Sequence, residues 1–375
     1  MKENTYRRSN IILFTVLAVI VIAAFSVGIY LFLSSDEPKP VISNGTDSYE
    51  TTEGITAEPF TETVPITDEI KTTMPPETEP PIEPTFEEQA QAKLDKTLAE
   101  IIAWIGEAVP TYKTVEETDT EGNITVPSEE YKPPVAFYYQ DIKSGCIMAY
   151  NADHIFYTAS IIKEPYVLWA LGEIEKAEAE GTAEGTKYDV DSIFVYTEDK
   201  YKSGSGIIQK AEFGTAYAYY DLLRLAITES DNVAFAELRN IYGRSGFNAF
   251  SESIGVNNSI KSLYSASARE MGAYLAETYR FFESGSKYAE MLKSWMLDTN
   301  HRIMIPSAVS PSKAANKYGW DLEAYHDMAI VFDENPYLLV IMTELDNGSQ
   351  ADNRFIRDLV GKINTAHREI IGGAE

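Results

Sequence analysis

The sequence predicts an α+β domain, in which an antiparallel sheet is flanked by N- and C-terminal helices and accompanied by a separate all-helical lobe. Three observations support this prediction. Helix-spaced apolar residues open the domain, strand-like pairs joined by turns lie before and after its middle, and apolar helical patterns fill the middle. The order of helix, strands, helices, strands and helix is therefore that of one sheet covered by terminal helices.

The opening helix follows a linker-like segment and begins near Phe86. Its apolar residues recur at helical spacing, namely Leu94, Leu98, Ile101, Ile102 and Ile105. The amphipathic segment RFIRDLVGKINTAHREI predicts a second helix that closes the chain. These two helices are the predicted cover of the sheet.

Two hairpins supply the strands. The segment VAFYYQDIKSGCIMAYN is typical of two strands joined at a turn around Lys143, Ser144 and Gly145, and HDMAIVF and YLLVIMTE flank the turn residues Asp333 to Pro336. Between the hairpins, SIIKEPYVLWALGEIEKAEAEG predicts a buried helix and AYYDLLRLAITESDNVAFAELRNIYG predicts two more. The middle of the chain is thus the predicted helical lobe.

The N-terminal part of the chain has a different composition. Residues 11–33 are uncharged over a length that crosses a bilayer as one helix, and basic residues precede them, so residues 1–10 are expected in the cytoplasm. A cleaved signal peptide is the alternative, although its apolar region is usually shorter. Residues 34–86, rich in Thr, Pro and Glu, predict a disordered linker, which leaves 87–375 as an extracytoplasmic domain held at the cell membrane by the single span.

Charge and cysteine content exclude several classes of function. The formal net charge of −27 disfavours binding to nucleic acid. The single cysteine, Cys146, allows no internal disulfide and is expected to be a core residue. The four histidines lack metal-ligand spacing, so neither a metal nor another cofactor is expected.

Three S-x-x-K matches could each place a serine hydroxyl near a lysine amine that takes its proton. They are Ser160 with Lys163, Ser284 with Lys287, and Ser310 with Lys313. The last two lie in glycine- or proline-containing loops, whereas the first begins a strongly apolar helix that holds both side chains on one face. Ser160 is therefore the predicted nucleophile, although an ordinary N-cap serine gives the same pattern.

Two further motifs follow in the chain. Ser230, Asp231 and Asn232 form an S-D-N sequence between two apolar helical patterns, where a helix cap is the simple alternative. K-x-G occurs three times, at Lys143, Lys202 and Lys317. Only the third lies next to the C-terminal strand pair, so it is the one predicted to reach a cleft between sheet and helices.

The order S-x-x-K, S-D-N, K-x-G resembles that of class A β-lactamases and penicillin-binding proteins. The segments YNADHIFYTASIIK, GSGIIQ and SASAREMGAYL are also similar to that family, and the resemblance covers roughly residues 87–372. It implies a β-lactamase/transpeptidase-like fold. It also implies a serine hydrolase that acts on β-lactams or on D-Ala-D-Ala-type peptidoglycan stem peptides.

The resemblance assigns roles by position. Ser160 would attack the carbonyl carbon, with Lys163 as a candidate general base. Ser230 would relay a proton to the departing nitrogen, Asn232 would position Lys163 and the substrate amide, and Lys317 would supply positive charge.

The resemblance also assigns substrate binding to the segment that follows Lys317. Tyr318, Gly319 and Trp320 would bind the substrate, and the backbone N–H groups of Ser160 and Trp320 would form the oxyanion hole.

Two departures from the family pattern bear on turnover. Class A enzymes use a glutamate on the loop after S-D-N to release the acyl-enzyme, and the segment GVNNSIKSLYSASAR contains none. Glu252 and Glu270 flank it but are expected on helices. In addition, Tyr318 replaces the usual small hydroxyl residue. We therefore expect acylation with slow deacylation. The alternative is a non-catalytic module that binds or senses β-lactams or peptidoglycan.

Overall fold

The computed structural model describes residues 84–114, 117–118, 124–126, 128–345 and 349–372. The predicted membrane span and all but the last three residues of the predicted linker lie outside these residues. None of the helices in the described part of the chain is long and apolar enough to cross a membrane.

Most α-helices of the described residues lie in the middle of the chain, between the strands of the two hairpins. They are α1 Phe86–Ala108, α2 Lys163–Ala179, α3 Tyr219–Thr228, α4 Asn232–Tyr242, α5 Ser245–Ser253, α6 Asn258–Lys261, α7 Ala268–Glu283, α8 Lys287–Leu297, α9 Ile305–Ala308 and α10 Gln350–Ile370. Short 3₁₀ turns lie at Ala159–Ile162, Glu198–Lys200 and Ile208–Lys210.

The strands form one main sheet and several two-stranded ladders. They are β1 Tyr112–Lys113, β2 Glu117–Thr118, β3 Ile124–Val126, β4 Glu130–Tyr131, β5 Val135–Asp141, β6 Ile147–Tyr150, β7 Ile155–Tyr157, β8 Ile193–Val195, β9 Ala216–Ala218, β10 Ser265–Ser267, β11 Lys313–Asp321, β12 Ala324–Phe332 and β13 Tyr337–Thr343. The pairs β1–β4 and β2–β3 lie within the polar stretch 110–134, between α1 and β5.

The main sheet is five-stranded and antiparallel, in the order β11-β12-β13-β5-β6. Both predicted hairpins form, as β5–β6 and β12–β13. Strand β5 is buried on both faces, because alternate side chains enter different cores. Tyr138 packs with the helical lobe, and Phe137 and Tyr139 pack with the terminal helices.

The terminal helices cover one face of the sheet, as predicted. Helix α1 begins at a capping box in which Thr85 and Glu88 satisfy each other's backbone N–H groups. Leu94, Ile101 and Ile105 face α10 and the sheet, whereas Ile102 is 37% exposed. The buried stripe on α1 is therefore narrower than the apolar pattern suggested.

Candidate active site

Ser160 lies in the 3₁₀ turn that leads into α2, and Lys163 is the first residue of that helix. Ala159, just before the serine, has a positive φ of 45°, an uncommon conformation for a residue with a side chain. Ser160 is half-buried, while Lys163 is only 2% exposed. The turn thus presents a hydroxyl at the surface of a cavity and an amine inside its wall.

The Lys163 amine is held from the S-D-N turn. It donates to the Ser230 carbonyl oxygen at 2.5 Å and to Asn232 Oδ1 at 2.7 Å, and Ser230 Oγ lies 3.4 Å away. Burial lowers the pKa of Lys163 to about 7, the carboxylates of Asp231 and Asp321 oppose that shift, and the Arg239 charge adds to it. At neutral pH, the Lys163 amine is therefore neutral in a large share of the molecules.

The S-D-N turn joins α3 to α4 in a constrained geometry. Ser230 has a φ of 52° and is fully buried. The Asp231 carboxylate caps α4 by accepting from the N–H groups of Val233 and Ala234, at 2.9 and 3.0 Å. Asn232 is the first residue of α4, and it lines the cavity beside Ser160.

The same Asp231 carboxylate ties a glycine-rich loop to the site. Its Oδ2 accepts from the N–H groups of Ile207 and Ile208 at 2.7 and 2.8 Å. Gly206 has a φ of 113°, and a Cβ there would lie 2.2 Å from Asp231 Oδ2. The loop can approach this closely only because glycine has no side chain.

Lys317 enters from the sheet, on the edge strand β11. Its buried amine donates to Ser230 Oγ at 3.0 Å and to the Tyr318 carbonyl oxygen at 2.8 Å. Burial lowers the pKa of Lys317 well below its usual value, and the charge of Lys163 lowers it further. The amines of Lys163 and Lys317 therefore both lie close to Ser230 Oγ. Simultaneous protonation of the two amines is disfavoured there.

Tyr318 lies where the family pattern has a small hydroxyl residue. Its ring packs on His301 with centroids 4.3 Å apart, and the Lys317 amine lies 4.4 Å from its centroid. Its hydroxyl is within hydrogen-bonding reach of the side chains of Ser230 and Ser205. The tyrosine therefore reaches the S-D-N turn from the sheet without displacing Lys317.

Gly319 and Trp320 continue this strand past the nucleophile. A Cβ on Gly319 would lie 2.9 Å from the Thr158 carbonyl oxygen and 3.0 Å from the Ile161 nitrogen. The strand thus packs directly against the turn that carries Ser160. The Trp320 side chain is 44% exposed at the cavity rim.

Two adjoining cavities connect these residues. One, of about 430 Å³, is lined by Ser160, Lys163 and Asn232 together with the Lys202–Ser205 loop. The other, of about 510 Å³, is lined by His301 and Tyr318 and shares part of the loop and Trp320 with the first. A larger groove, about 660 Å³, lies between α1 and α10 and contains none of the predicted site residues.

The remaining motif matches lie apart from this site, with one exception. Ser284 and Ser310 are exposed, and neither lines the two cavities. Lys143 lies in the β5–β6 turn. The exception is Lys202, whose loop forms part of the cavity wall.

Glu252 and Glu270, which flank the loop segment GVNNSIKSLYSASAR, lie on helices as expected. Glu252 lies near the end of α5. Glu270 caps α7 and accepts from the N–H groups of Asn257 and Asn258 at 2.9 and 3.0 Å. The Glu270 carboxylate is thus engaged in hydrogen bonds with the short loop. Neither Glu252 nor Glu270 lines the cavity beside Ser160.

Part of the cavity wall was not predicted from the sequence. Phe235, Ala236 and Arg239 line it together with Tyr264. Spacing was the available signal, because residues three, four and seven positions after Asn232 lie on the same face of α4. Tyr264 carried no such signal, since its position depends on the short loop before β10.

A buried carboxyl group was also missed. Glu164 follows Lys163, is fully buried and accepts from Thr278 Oγ1 at 2.6 Å, while its Oε2 has no partner among the described residues. Burial raises the pKa of Glu164 to about 8. Its sequence position gave no hint of burial, because glutamate in the first turn of a helix is usually exposed.

The fold and this site define the class of protein, a serine acyl-enzyme scaffold of the β-lactamase kind. Solved structures support the fold. An acyl-enzyme complex of a PBP-A mutant with penicillin G has a TM-score of 0.58 at 18% identity, covering 74% of this chain and 97% of that one. A β-lactamase from Sphaerobacter thermophilus has a TM-score of 0.56 at 16% identity, covering 75% and 97%. A class A β-lactamase from Mycobacterium abscessus has the same score and identity, covering 72% and 98%.

The family follows from the sequence match. The model described as "Beta-lactamase enzyme family" matches residues 121–366, so the chain belongs to the β-lactamase enzyme family. A search of curated proteins yields no match. The expected family resemblance is confirmed, as is a mixed fold of an antiparallel sheet and helices.

Proposed function

We propose that this chain is a serine acyl-enzyme that is acylated on Ser160 by β-lactams or by D-Ala-D-Ala-type stem peptides. The observation that carries the proposal is the meeting of two buried lysine amines, from Lys163 and Lys317, at Ser230 beside the cavity that Ser160 lines. Depressed amine pKa values next to a nucleophile are typical of activated serines. The penicillin G complex of the PBP-A mutant supports β-lactams as ligands of this scaffold.

In the proposed reaction, the hydroxyl of Ser160 attacks the carbonyl carbon and its proton passes to the neutral Lys163 amine. As the new C–O bond forms, the C–N bond breaks, and the nitrogen takes a proton from Ser230 Oγ. The Lys317 amine, 3.0 Å from that oxygen, stabilises it, and the proton taken up by Lys163, whose Nζ lies 3.4 Å from the same oxygen, restores the Ser230 hydroxyl. Backbone N–H groups of Ser160 and Trp320 would stabilise the oxyanion.

Deacylation is proposed to be slow. A water molecule that attacks the ester needs a general base. Among the described residues that line the cavity beside Ser160, Asp321 is the one carboxylate, and it accepts a hydrogen bond from the Tyr157 hydroxyl at 2.9 Å. Glu270 is held by the loop backbone. The acyl-enzyme should therefore accumulate.

Intact-protein mass spectrometry after incubation with benzylpenicillin tests this function. The wild type should gain one lasting adduct, Ser160→Ala should gain none, and Ser284→Ala, which alters the exposed second motif, should behave like the wild type. Saturable binding without an adduct would instead support a non-catalytic binding module. Fast multiple turnover would refute slow deacylation and make Asp321 the first candidate base.

We also propose that residues 11–33 anchor the protein and hold the domain outside the cytoplasm. Support comes from the uncharged run, the basic residues before it and the acidic, proline-rich segment after it. Protease added to cells with an accessible surface should release the domain. Complete protection of the domain would contradict this topology.

A further inference from the structure

The wall of the Ser160 cavity continues along α4, away from Lys317. Beyond Asn232, the helix presents Phe235, Ala236 and Arg239 to the cavity, and Tyr264 also lines it. Arg239 is seven residues after Asn232, which places it about 10 Å farther along the helix axis. We call Phe235, Ala236, Arg239 and Tyr264 the acyl end of the cavity.

On the other side of the site lie Ser230, Lys317 and Tyr318, which we call the leaving-group end; Tyr318 lines the adjoining cavity, and Ser230 and Lys317 are fully buried behind it. In the proposed reaction, the departing nitrogen faces Ser230 and Lys317. The part of the substrate that stays on Ser160 must then extend the other way, over Phe235 toward Arg239. This orientation rests on the proposed function.

Arg239 has a charged group with no matching acceptor among the described residues. Its guanidinium lies against the rings of Phe235 and Tyr264, 5.5 and 5.8 Å from their centroids. Its Nε is buried and has no hydrogen-bond partner, and no ion pair joins it to a carboxylate of the described residues. Glu237, on the same helix, pairs with Lys200 at 3.1 Å.

Such an arrangement favours an external anion. A buried donor without an acceptor costs free energy that a ligand can recover. Aromatic rings beside the guanidinium orient its planar set of donors, which matches the two oxygens of a carboxylate. Lys202 adds a second positive charge to the same cavity, whereas Asp321 adds a negative charge that is hydrogen-bonded to Tyr157.

We propose that Arg239 binds a carboxylate on the acyl part of the substrate. The preferred ligand is thus an acyl donor, peptide or β-lactam, whose retained side chain bears a negative charge. Its carboxylate replaces the acceptor that the guanidinium lacks within the described part of the protein. Arg239 acts here in substrate selection and takes no part in breaking the C–N bond.

Two penicillins that differ by one carboxylate test this proposal. Benzylpenicillin and α-carboxybenzylpenicillin share the same ring system, and the extra carboxylate of the second lies on the acyl side chain. Mass spectrometry gives the second-order acylation rate constant for each. In the wild type, the carboxylated compound should react on the order of tenfold faster, as expected for one charge-assisted pair.

The ratio of the two rate constants is the informative quantity. In Arg239→Met it should fall to about one or below, because the anion loses its partner. Removal of the Arg239 charge also changes the pKa of Lys163, but that effect applies to both penicillins and cancels in the ratio. Lys200→Met, which removes a cation that contacts α4 outside the cavity, should keep the wild-type ratio.

Each other outcome decides against the proposal in a distinguishable way. A wild-type ratio near one, with benzylpenicillin still forming its adduct, overturns the role of Arg239 and leaves the proposed function intact. Loss of the preference in Lys202→Met but not in Arg239→Met assigns the anion to the loop instead. Absence of any wild-type adduct with either penicillin overturns both the proposed function and this inference.

Discussion

The two ends of the active site are built in different ways. At the leaving-group end, the buried Lys317 amine, Ser230 Oγ and the Tyr318 hydroxyl approach one another within hydrogen-bonding reach. The acyl end consists of two aromatic rings, Ala236 and a guanidinium without an ion-pair partner among the described residues. The first end is suited to proton transfer, and the second is suited to holding a ligand. The residues described at the acyl end include no carboxylate that could activate water, so we expect the ester to form readily and to be released slowly.

The largest effect should follow removal of the amine beside Ser160. Lys163→Met nearly keeps the length of the side chain but removes the proposed base, and general bases typically contribute 10²–10⁴-fold. We expect acylation by benzylpenicillin to slow about 10³-fold in rate measurements by mass spectrometry. Lys176→Met, on the exposed face of the same helix, is the control and should not change the rate. An unchanged rate in Lys163→Met would mean that another group takes the proton.

The next effect concerns the loop that is shared by both cavities. Gly206→Ala would place a Cβ 2.2 Å from Asp231 Oδ2, at a φ of 113°, so backbone conformation and overlap both oppose it. We expect a loss of about 2–5 kcal/mol in the free energy of unfolding, measured by denaturant titration. Gly214→Ala is the matched control, since its φ is 97° but nothing lies within 4 Å of its Cβ. It should cost about 1–2 kcal/mol. Equal losses in the two variants would refute the clash with Asp231.

The pH dependence of acylation tests the protonation state of the base. Lys163 must be neutral to accept a proton, and its pKa is about 7 because of burial, with Asp231, Asp321 and Arg239 as the nearby charges. The rate constant should therefore fall about tenfold for each pH unit below 7 and level off just above it. Rates measured across this range at constant ionic strength would reveal the transition. A flat profile between about pH 5 and 7 would exclude Lys163 as the base.

The contrast between the two ends also explains what the sequence could predict. Ser160, Lys163, Ser230, Asn232 and Lys317 belong to short motifs, and their surroundings in the chain favoured one of the three S-x-x-K matches and one of the three K-x-G matches. The sheet and terminal helices followed from apolar periodicity, because one buried face repeats along each element.

The acyl end could not be predicted in the same way. Arg239 belongs to no motif, and its lack of a partner depends on which side chains meet it in space. The burial of Glu164 and the packing of His301 on Tyr318 likewise arise from contacts between elements distant in the chain. The strands of the short ladders between residues 110 and 134 are only two or three residues long, which is too short for a periodic pattern to indicate them.

The smallest effect should come from the hydroxyl of Tyr318. Tyr318→Phe keeps the ring on His301 but removes the group near Ser230 and Ser205. Loss of one neutral hydrogen bond costs about 0.5–1.5 kcal/mol, so acylation should slow by about two- to twelvefold. Tyr337→Phe removes a buried hydroxyl that donates to Asn364 Oδ1 at 2.8 Å, outside both cavities, and should leave the acylation rate unchanged. Acylation that is faster in Tyr318→Phe would show instead that the hydroxyl competes with the ligand for Ser230. In that case Tyr318 would weaken the leaving-group end, and the contrast between the two ends would be smaller than the contacts suggest.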